Sequence, residues 1–248
     1  MKFVRTAFVV GAVASALGVP AGASAAPSWA PARTAALPSG ATGLPQGYLP
    51  ALACASVGNC VASGDYTNAA GDSVAVMLNE VNGVWRSPVT LTPPSGAAAT
   101  ADATVFSVAC GAPGYCSVVG NYEDKSGNSL GFVANEVAGA WRDAVEAALP
   151  ANALSSGQNA QLRSVACPKA NYCTAVGTYS AKSTSLGQTE GLVIDEVAGT
   201  WRHGSEVHLP GGTNANPFVL LNQVACATAG NCSAVGDVYK RQSSGQVS

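Results

Sequence analysis

The chain has 248 residues, 12 of them Lys or Arg and 14 Asp or Glu, for a formal net charge of −2. Only 10% of the residues are charged, 48% are hydrophobic and eight are cysteine. This balance excludes the basic face of a nucleic-acid binder and the polybasic patch of a membrane-surface binder.

At the N-terminus, Lys2 and Arg5 precede the apolar run Ala7 to Val19, and Ala23-Ser24-Ala25 supplies small residues at a cleavage position. That is the pattern of a secretory signal peptide over residues 1–25. The run is too short to span a bilayer comfortably. The mature protein is therefore expected to be secreted, extracellular or at the cell surface, with no membrane insertion after cleavage.

The other end is different in kind. Asp237-Val238-Tyr239-Lys240-Arg241-Gln242 breaks the repeat described below and reads as the translation of a transposon adapter used in sequencing libraries. Residues 237–248 are expected to be a non-native tail, and the chain a truncated fragment. Without Lys2, Arg5, Lys240, Arg241 and Asp237, the 12 basic and 14 acidic residues become 8 and 13, a net of −5.

Between the ends one unit occurs four times, marked by the pairs Cys54 and Cys60, Cys110 and Cys116, Cys167 and Cys173, and Cys226 and Cys232. Its spacing of 56, 57 and 59 residues between first cysteines is that of a repeat architecture. Export places these cysteines in an oxidising compartment, so a disulfide within each pair is expected. Each would close a short loop, worth roughly 2 kcal/mol by chain entropy. Zinc is the rival reading, but structural zinc sites favour ligand gaps of two to four residues. No metal or cofactor is expected.

A second marker follows each complete pair: Glu80-Val81-Asn82-Gly83-Val84-Trp85, Glu136-Val137-Ala138-Gly139-Ala140-Trp141 and Glu196-Val197-Ala198-Gly199-Thr200-Trp201. Each repeat offers four strands. One ends at the first cysteine, one starts at the second, one is the apolar run before the glutamate, and one begins at the tryptophan. Asn82-Gly83 is a strong two-residue hairpin signal. Four antiparallel strands per repeat predict an all-β protein, a β-propeller of four-stranded blades. The repeats fall at about 50–93, 105–150 and 161–210, with a half repeat at 220–236. Trp29 stands eight residues before Leu37, as Trp141 does before Leu149 and Trp201 before Leu209. Residues 27–38 therefore read as an orphan fourth strand that closes the ring, which protects an edge.

No catalytic or cofactor-binding residue is assigned. Glu80, Glu136 and Glu196 recur in every repeat and lie opposite the tryptophan of their own hairpin, which favours a structural pair over catalysis. Trp29, Trp85, Trp141 and Trp201 are read as packing between blades rather than as sugar-stacking platforms. Asp195 and Arg202 are expected to form a surface ion pair. His203 and His208 are five apart on one strand, hence on opposite faces and poor partners for a metal. Asp124, Ser126 and Asn128 faintly resemble a calcium loop but lack its spaced acids and terminal glutamate; a polar turn is preferred.

The combination of Val-Ala-Cys, five residues, Cys-x-Ala-Val-Gly-x-Tyr and Glu-Val-x-Gly-x-Trp resembles the secreted, disulfide-bearing propeller-like repeat proteins of high-GC bacteria over residues 29–236. It is more distantly similar to kelch and galactose-oxidase-type propellers. The sialidase-type Asp-x-Gly box is missing from every repeat. The resemblance implies only extracellular binding or scaffolding; the function expected is non-enzymatic binding of an extracellular protein or glycan, or a scaffold, by a chain that is monomeric at full length. The alternative is a propeller domain of a polysaccharide-acting hydrolase or lyase whose catalytic residues lie outside these repeats.

Overall fold

The structure is a computed structural model that describes residues 8–9, 29, 31–39, 41, 47–99, 102–182, 189–209 and 218–239. Among these all regular structure is β. The expected signal peptide, Phe8 and Val9 apart, and residues 240–248 of the expected tail lie outside the described residues.

Strands β1 (Phe8–Val9) and β2 (Arg33–Thr34) form a small pair. The first repeat then holds β3 (Gly47–Ser56), β4 (Asn59–Thr67), β5 (Ser73–Val81), β6 (Val84–Trp85) and β7 (Val89–Thr90). The second holds β8 (Ala103–Ala112), β9 (Tyr115–Glu123), β10 (Ser129–Val137), β11 (Ala140–Trp141) and β12 (Val145–Glu146). The third holds β13 (Gln161–Lys169), β14 (Tyr172–Tyr179), β15 (Glu190–Val197), β16 (Thr200–Trp201) and β17 (Ser205–Glu206). The last sheet has two strands, β18 (Phe218–Thr228) and β19 (Asn231–Tyr239).

Each full repeat is a four-stranded antiparallel sheet in chain order, with its fourth strand broken in two. Both short pieces pair with the third strand of their own sheet. The break has a use between repeats. Ala144 N–H donates to Thr92 O at 2.9 Å and Gly204 N–H to Ala148 O at 2.7 Å, so the breaks of the second and third repeats are held by the segment leaving the repeat before.

Local chemistry explains the register. Asn82 and Gly83, Ala138 and Gly139, and Ala198 and Gly199 all have positive φ. Two such residues in succession make the turn whose twist matches a hairpin, and it sets Glu80 opposite Trp85, Glu136 opposite Trp141 and Glu196 opposite Trp201. The first strand of each repeat carries a bulge, at 48–51, 105–107, 162–164 and 221–223. The bulge thrusts a carbonyl at the neighbouring strand and thereby accounts for the glycine of the Ala-Val-Gly motif. A Cβ on Gly120 would stand 1.9 Å from Thr104 O, and one on Gly177 would stand 1.8 Å from Gln161 O.

All four disulfides form within their own pairs, Cys54–Cys60, Cys110–Cys116, Cys167–Cys173 and Cys226–Cys232, with Cα–Cα distances of 3.9 to 4.1 Å. Each staples the hairpin between the first two strands of a repeat.

The core lies between sheets rather than within any one of them. Val61 and Met77 of the first repeat pack with Val105, Val118 and Phe132 of the second. Val119 and Val133 of the second pack with Leu162, Ala175 and Leu192 of the third. The central strands are therefore buried on both faces, which is why they read as continuous apolar runs. The residue six places after each tryptophan reaches forward: Leu91 into the second repeat, Ala147 into the third and Val207 onto the half repeat. Ala35 and Leu37 pack on the first repeat, beside Tyr66 and Val76, in the same relation.

Candidate functional site

Asn79 and Asn135 precede the marker glutamates, and their side chains cross to the next repeat. Asn79 Oδ1 accepts the indole N–H of Trp141 at 3.0 Å, while its Nδ2 donates to Glu136. Asn135 Oδ1 accepts Trp201 Nε1–H at 3.0 Å and the Ser117 hydroxyl at 2.9 Å, and Asn135 Nδ2 donates to Glu196 Oε1 at 2.5 Å. One amide thus ties together both markers of the following repeat.

This latch is buried. Glu136 and Glu196 are each 3% exposed, and burial pushes both carboxyls above the ordinary range against the opposing effect of the asparagine N–H. Glu196 Oε2 has no hydrogen-bond partner. A row of such carboxylates holds sheets together. The remaining members of the tryptophan series sit differently, Trp85 packing beside Leu37 and Tyr66, and Trp29 standing 72% exposed.

Asp195 occupies the latch position of the third repeat. Its carboxylate accepts the Thr174 hydroxyl at 2.6 Å, and Arg202 meets it through the backbone, N–H to Asp195 O at 2.8 Å.

At the opposite end of the sheets the second strands finish in tyrosines whose partners escaped the sequence reading. Tyr122 Oη donates to Glu146 Oε2 at 2.8 Å, and Tyr179 Oη to Glu206 Oε2 at 2.6 Å. Burial first, and the adjoining carboxylate second, push both phenols up. The legible signal was a glutamate five residues after Trp141 and Trp201, which Thr90 replaces in the first repeat. Glu190 lies in the same neighbourhood as Glu206 and Tyr179; burial and then the Glu206 charge raise its carboxyl. Leu130 and Val74 stand at its position in the other sheets, facing Tyr122 and Tyr66 as Glu190 faces Tyr179. Glu190 is therefore chemistry the repeat does not require.

The loops after Tyr66 and Tyr122, at Asn68–Asp72 and Asp124–Asn128, are closed on themselves. Asp124 Oδ1 accepts the N–H groups of Ser126 and Asn128, both at 2.8 Å, and Oδ2 accepts Asn128 Nδ2 at 2.8 Å. These bonds, the Asn128 side chain first, hold the Asp124 carboxyl below its usual range. Asn128 Oδ1 is taken by Gln158 N–H at 3.1 Å. The calcium-like spacing is thus a hydrogen-bonded turn. His203 and His208 are exposed. Among the described residues no group of three or more His, Cys, Asp or Glu is placed to hold a metal ion.

Beside the first of these loops lies an open groove of about 430 Å³ lined by Asn68, Asp72, Ser73, Thr90, Thr92 and Ala98, among others. Its volume suits a small ligand or a short polymer segment. At the disulfide end, a groove of about 260 Å³ runs between the first two repeats past Asn79, Glu80 and Glu136. On the first strands, Arg163 of the third repeat lies over the Phe106 ring of the second, 5.9 Å from its centroid. Neither models of known protein families nor the curated proteins give a match to this sequence.

Proposed function

We propose that these sheets are blades of a secreted β-propeller, distantly akin to the kelch type, that binds an extracellular glycan or protein without turning it over. The observation that carries this reading is where the recurring polar groups go. Asn79, Asn135, Glu136, Glu196, Trp141 and Trp201 are consumed in bonds between sheets. Recurrence here serves assembly, and recognition is left to the groups that differ from repeat to repeat: the groove beside Asn68 and Asp72, and the loops that follow the tyrosines.

The blade arrangement is supported by the packing of each sheet face on the next, with first strands side by side. Val165 N–H donates to Ser107 Oγ at 3.2 Å and Val224 N–H to Ser164 Oγ at 3.1 Å. An extracellular setting is supported by the four intrachain disulfides, which persist in oxidising compartments.

The test is a glycan array together with capture of secreted and cell-wall proteins, using the oxidised chain and a variant carrying Asp72→Ala and Thr92→Ala. Saturable binding that the variant loses, with no release of reducing ends or unsaturated sugars, is the expected result. Turnover abolished by Glu190→Gln would replace this reading with the hydrolase or lyase alternative. Absence of any glycan or protein ligand would leave a scaffold.

A further inference from the structure

The bulge recurs on the first strand of every sheet, yet what it presents differs each time. It holds Leu49 and Pro50 on β3, Phe106 on β8, Arg163 on β13 and Asn222 on β18. All of these are exposed or half-buried. The bulges stand in a row, because the residue after one is bonded to the neighbouring first strand: Ser107 Oγ accepts Val165 N–H and Ser164 Oγ accepts Val224 N–H. Arg163 accordingly reaches back over the Phe106 ring. A bulge re-aims a side chain out of the ladder. An assembly role would ask for the same side chain in every sheet, so a recurring bulge with a changing occupant marks a display position.

Arg163 is the occupant with unmet chemistry. It and Lys169 are the charged residues of the four first strands, on which no Asp or Glu stands, although acidic residues outnumber basic ones in the chain. Lys169 Nζ is engaged with the Tyr172 ring, 3.8 Å from its centroid, at the disulfide end. Among the described residues Arg163 gives one hydrogen bond, from Nη2 to Gln161 Oε1 at 3.1 Å, and its Nε is buried with no partner. A half-buried cation without a paired carboxylate costs the fold energy, and such a group calls for a reason. The ring and the guanidinium belong to the second and third repeats, both complete, so this surface does not depend on the half repeat.

We propose that the bulge row is a second recognition site, separate from the groove beside Asn68 and Asp72, and that Arg163 there takes the carboxylate of a uronic acid in an acidic glycan. The inference rests on the glycan reading above and adds the ligand class. A guanidinium laid over an aromatic ring keeps its N–H edge free for an in-plane acceptor. Nη1 and the Nη2 hydrogen that Gln161 does not use form a fork that a carboxylate fills with two parallel bonds. Phe106 beside it offers apolar surface to a sugar ring. Asn222 offers its amide oxygen to a hydroxyl, its Nδ2 being bonded to Asp237 Oδ2. With no acidic side chain on the first strands, nothing on this wall repels the incoming charge.

The test uses the full oxidised chain and a galacturonic acid tetramer, with its methyl ester and a glutamate tetrapeptide as comparisons, titrated calorimetrically at neutral pH. The acid is expected to bind at least roughly tenfold more tightly than the ester, which keeps the sugar and loses the charge. Arg163→Met, which keeps a side chain over Phe106, removes that margin, leaves ester binding unchanged and does not lower Tm. Arg163→Lys keeps part of the margin, since an ammonium supplies charge without the fork. The Asp72→Ala and Thr92→Ala variant keeps all of it. Equal affinities for acid and ester, a margin that survives Arg163→Met, or one lost with Asp72 and Thr92 instead would each overturn the proposal. A lowered Tm for Arg163→Met would do so too, by showing that the guanidinium serves the fold, and so would a peptide bound as tightly as the acid. Failure of the tetramers to bind a chain that holds another glycan through Asp72 and Thr92 would overturn this inference alone and leave the earlier reading standing.

Discussion

The Asn135 carboxamide oxygen accepts the indole N–H of Trp201 at 3.0 Å, although the two residues are 66 positions apart in the chain. The same side chain holds Glu196 and Ser117, so one amide satisfies three polar groups at a sheet junction. Removing it as Asn135→Ala strands all three. A cost of about 2–3 kcal/mol is expected, from polar groups left buried without partners. Asn135→Asp should be worse at neutral pH, because it turns a donor toward Glu196 into a second carboxylate. Chemical denaturation with the disulfides intact measures both. A loss no larger than that of an exposed substitution such as Asn222→Ala would show that the latch does not hold the junction.

Burial raises the Glu196 carboxyl above its ordinary value of 4.5, and this fixes the sign of a pH effect. The native state binds the proton more tightly than the unfolded chain does. The contribution of this group to stability is therefore fully present below about 4.5 and is lost as pH rises through the elevated native value. Glu196→Gln keeps an oxygen for Asn135 and removes the charge. The variant should show a flatter dependence of Tm on pH above 4.5 and a higher Tm than the parent at pH 7.5. An unchanged slope would mean that Glu196 titrates normally.

Much of the sheet architecture is legible in the sequence because it is set locally. A two-residue turn dictates that Glu136 faces Trp141, and a seven-residue cysteine loop dictates which cysteines meet. The latch is not local. Asn79 and Asn135 act on residues about a full repeat away, and an asparagine next to a glutamate on a strand reads as two polar residues pointing to opposite faces. The broken fourth strand was also hidden, because its break is held by carbonyls of the preceding repeat at Thr92 and Ala148. The Tyr122–Glu146 and Tyr179–Glu206 pairs carried a visible spacing, five residues after the tryptophan, that draws attention only once the tyrosine is known to end beside it.

Ala138 and Ala198 hold φ of +53° in turns where Asn82 serves the first repeat. A Cβ in that region costs about 1–2 kcal/mol, part of which glycine returns as entropy of the unfolded chain. Ala138→Gly and Ala198→Gly should each stabilise the protein by about 0.5–1 kcal/mol. Gly120→Ala should do the reverse, since its Cβ would overlap the Thr104 carbonyl; relieving the clash requires the bulge to shift, at about 3 kcal/mol or more. Thermal melts of the three variants decide the matter, and a stabilising Gly120→Ala would remove the steric account of the motif glycine.

The four disulfides share one loop length, so chain entropy assigns each the same contribution, roughly 2 kcal/mol. Packing separates them. Cys116 and Cys173 are buried among the sheet junctions, and Cys173 Sγ touches the Ser117 hydroxyl. Cys226 and Cys232 pack on the third repeat too, Cys232 Sγ lying 3.3 Å from the Thr174 hydroxyl, but both are only half-buried. Paired serine replacement should therefore cost close to the entropic value at Cys226 and Cys232. At Cys110 and Cys116, or at Cys167 and Cys173, it should cost about 1–2 kcal/mol more, because each buried sulfur leaves a void and a hydroxyl enters an apolar contact. Unfolding of the four double variants under one denaturant series gives the ranking. Equal losses at all four pairs would mean that the bridges act on the unfolded chain alone and that the sheet junctions tolerate their removal.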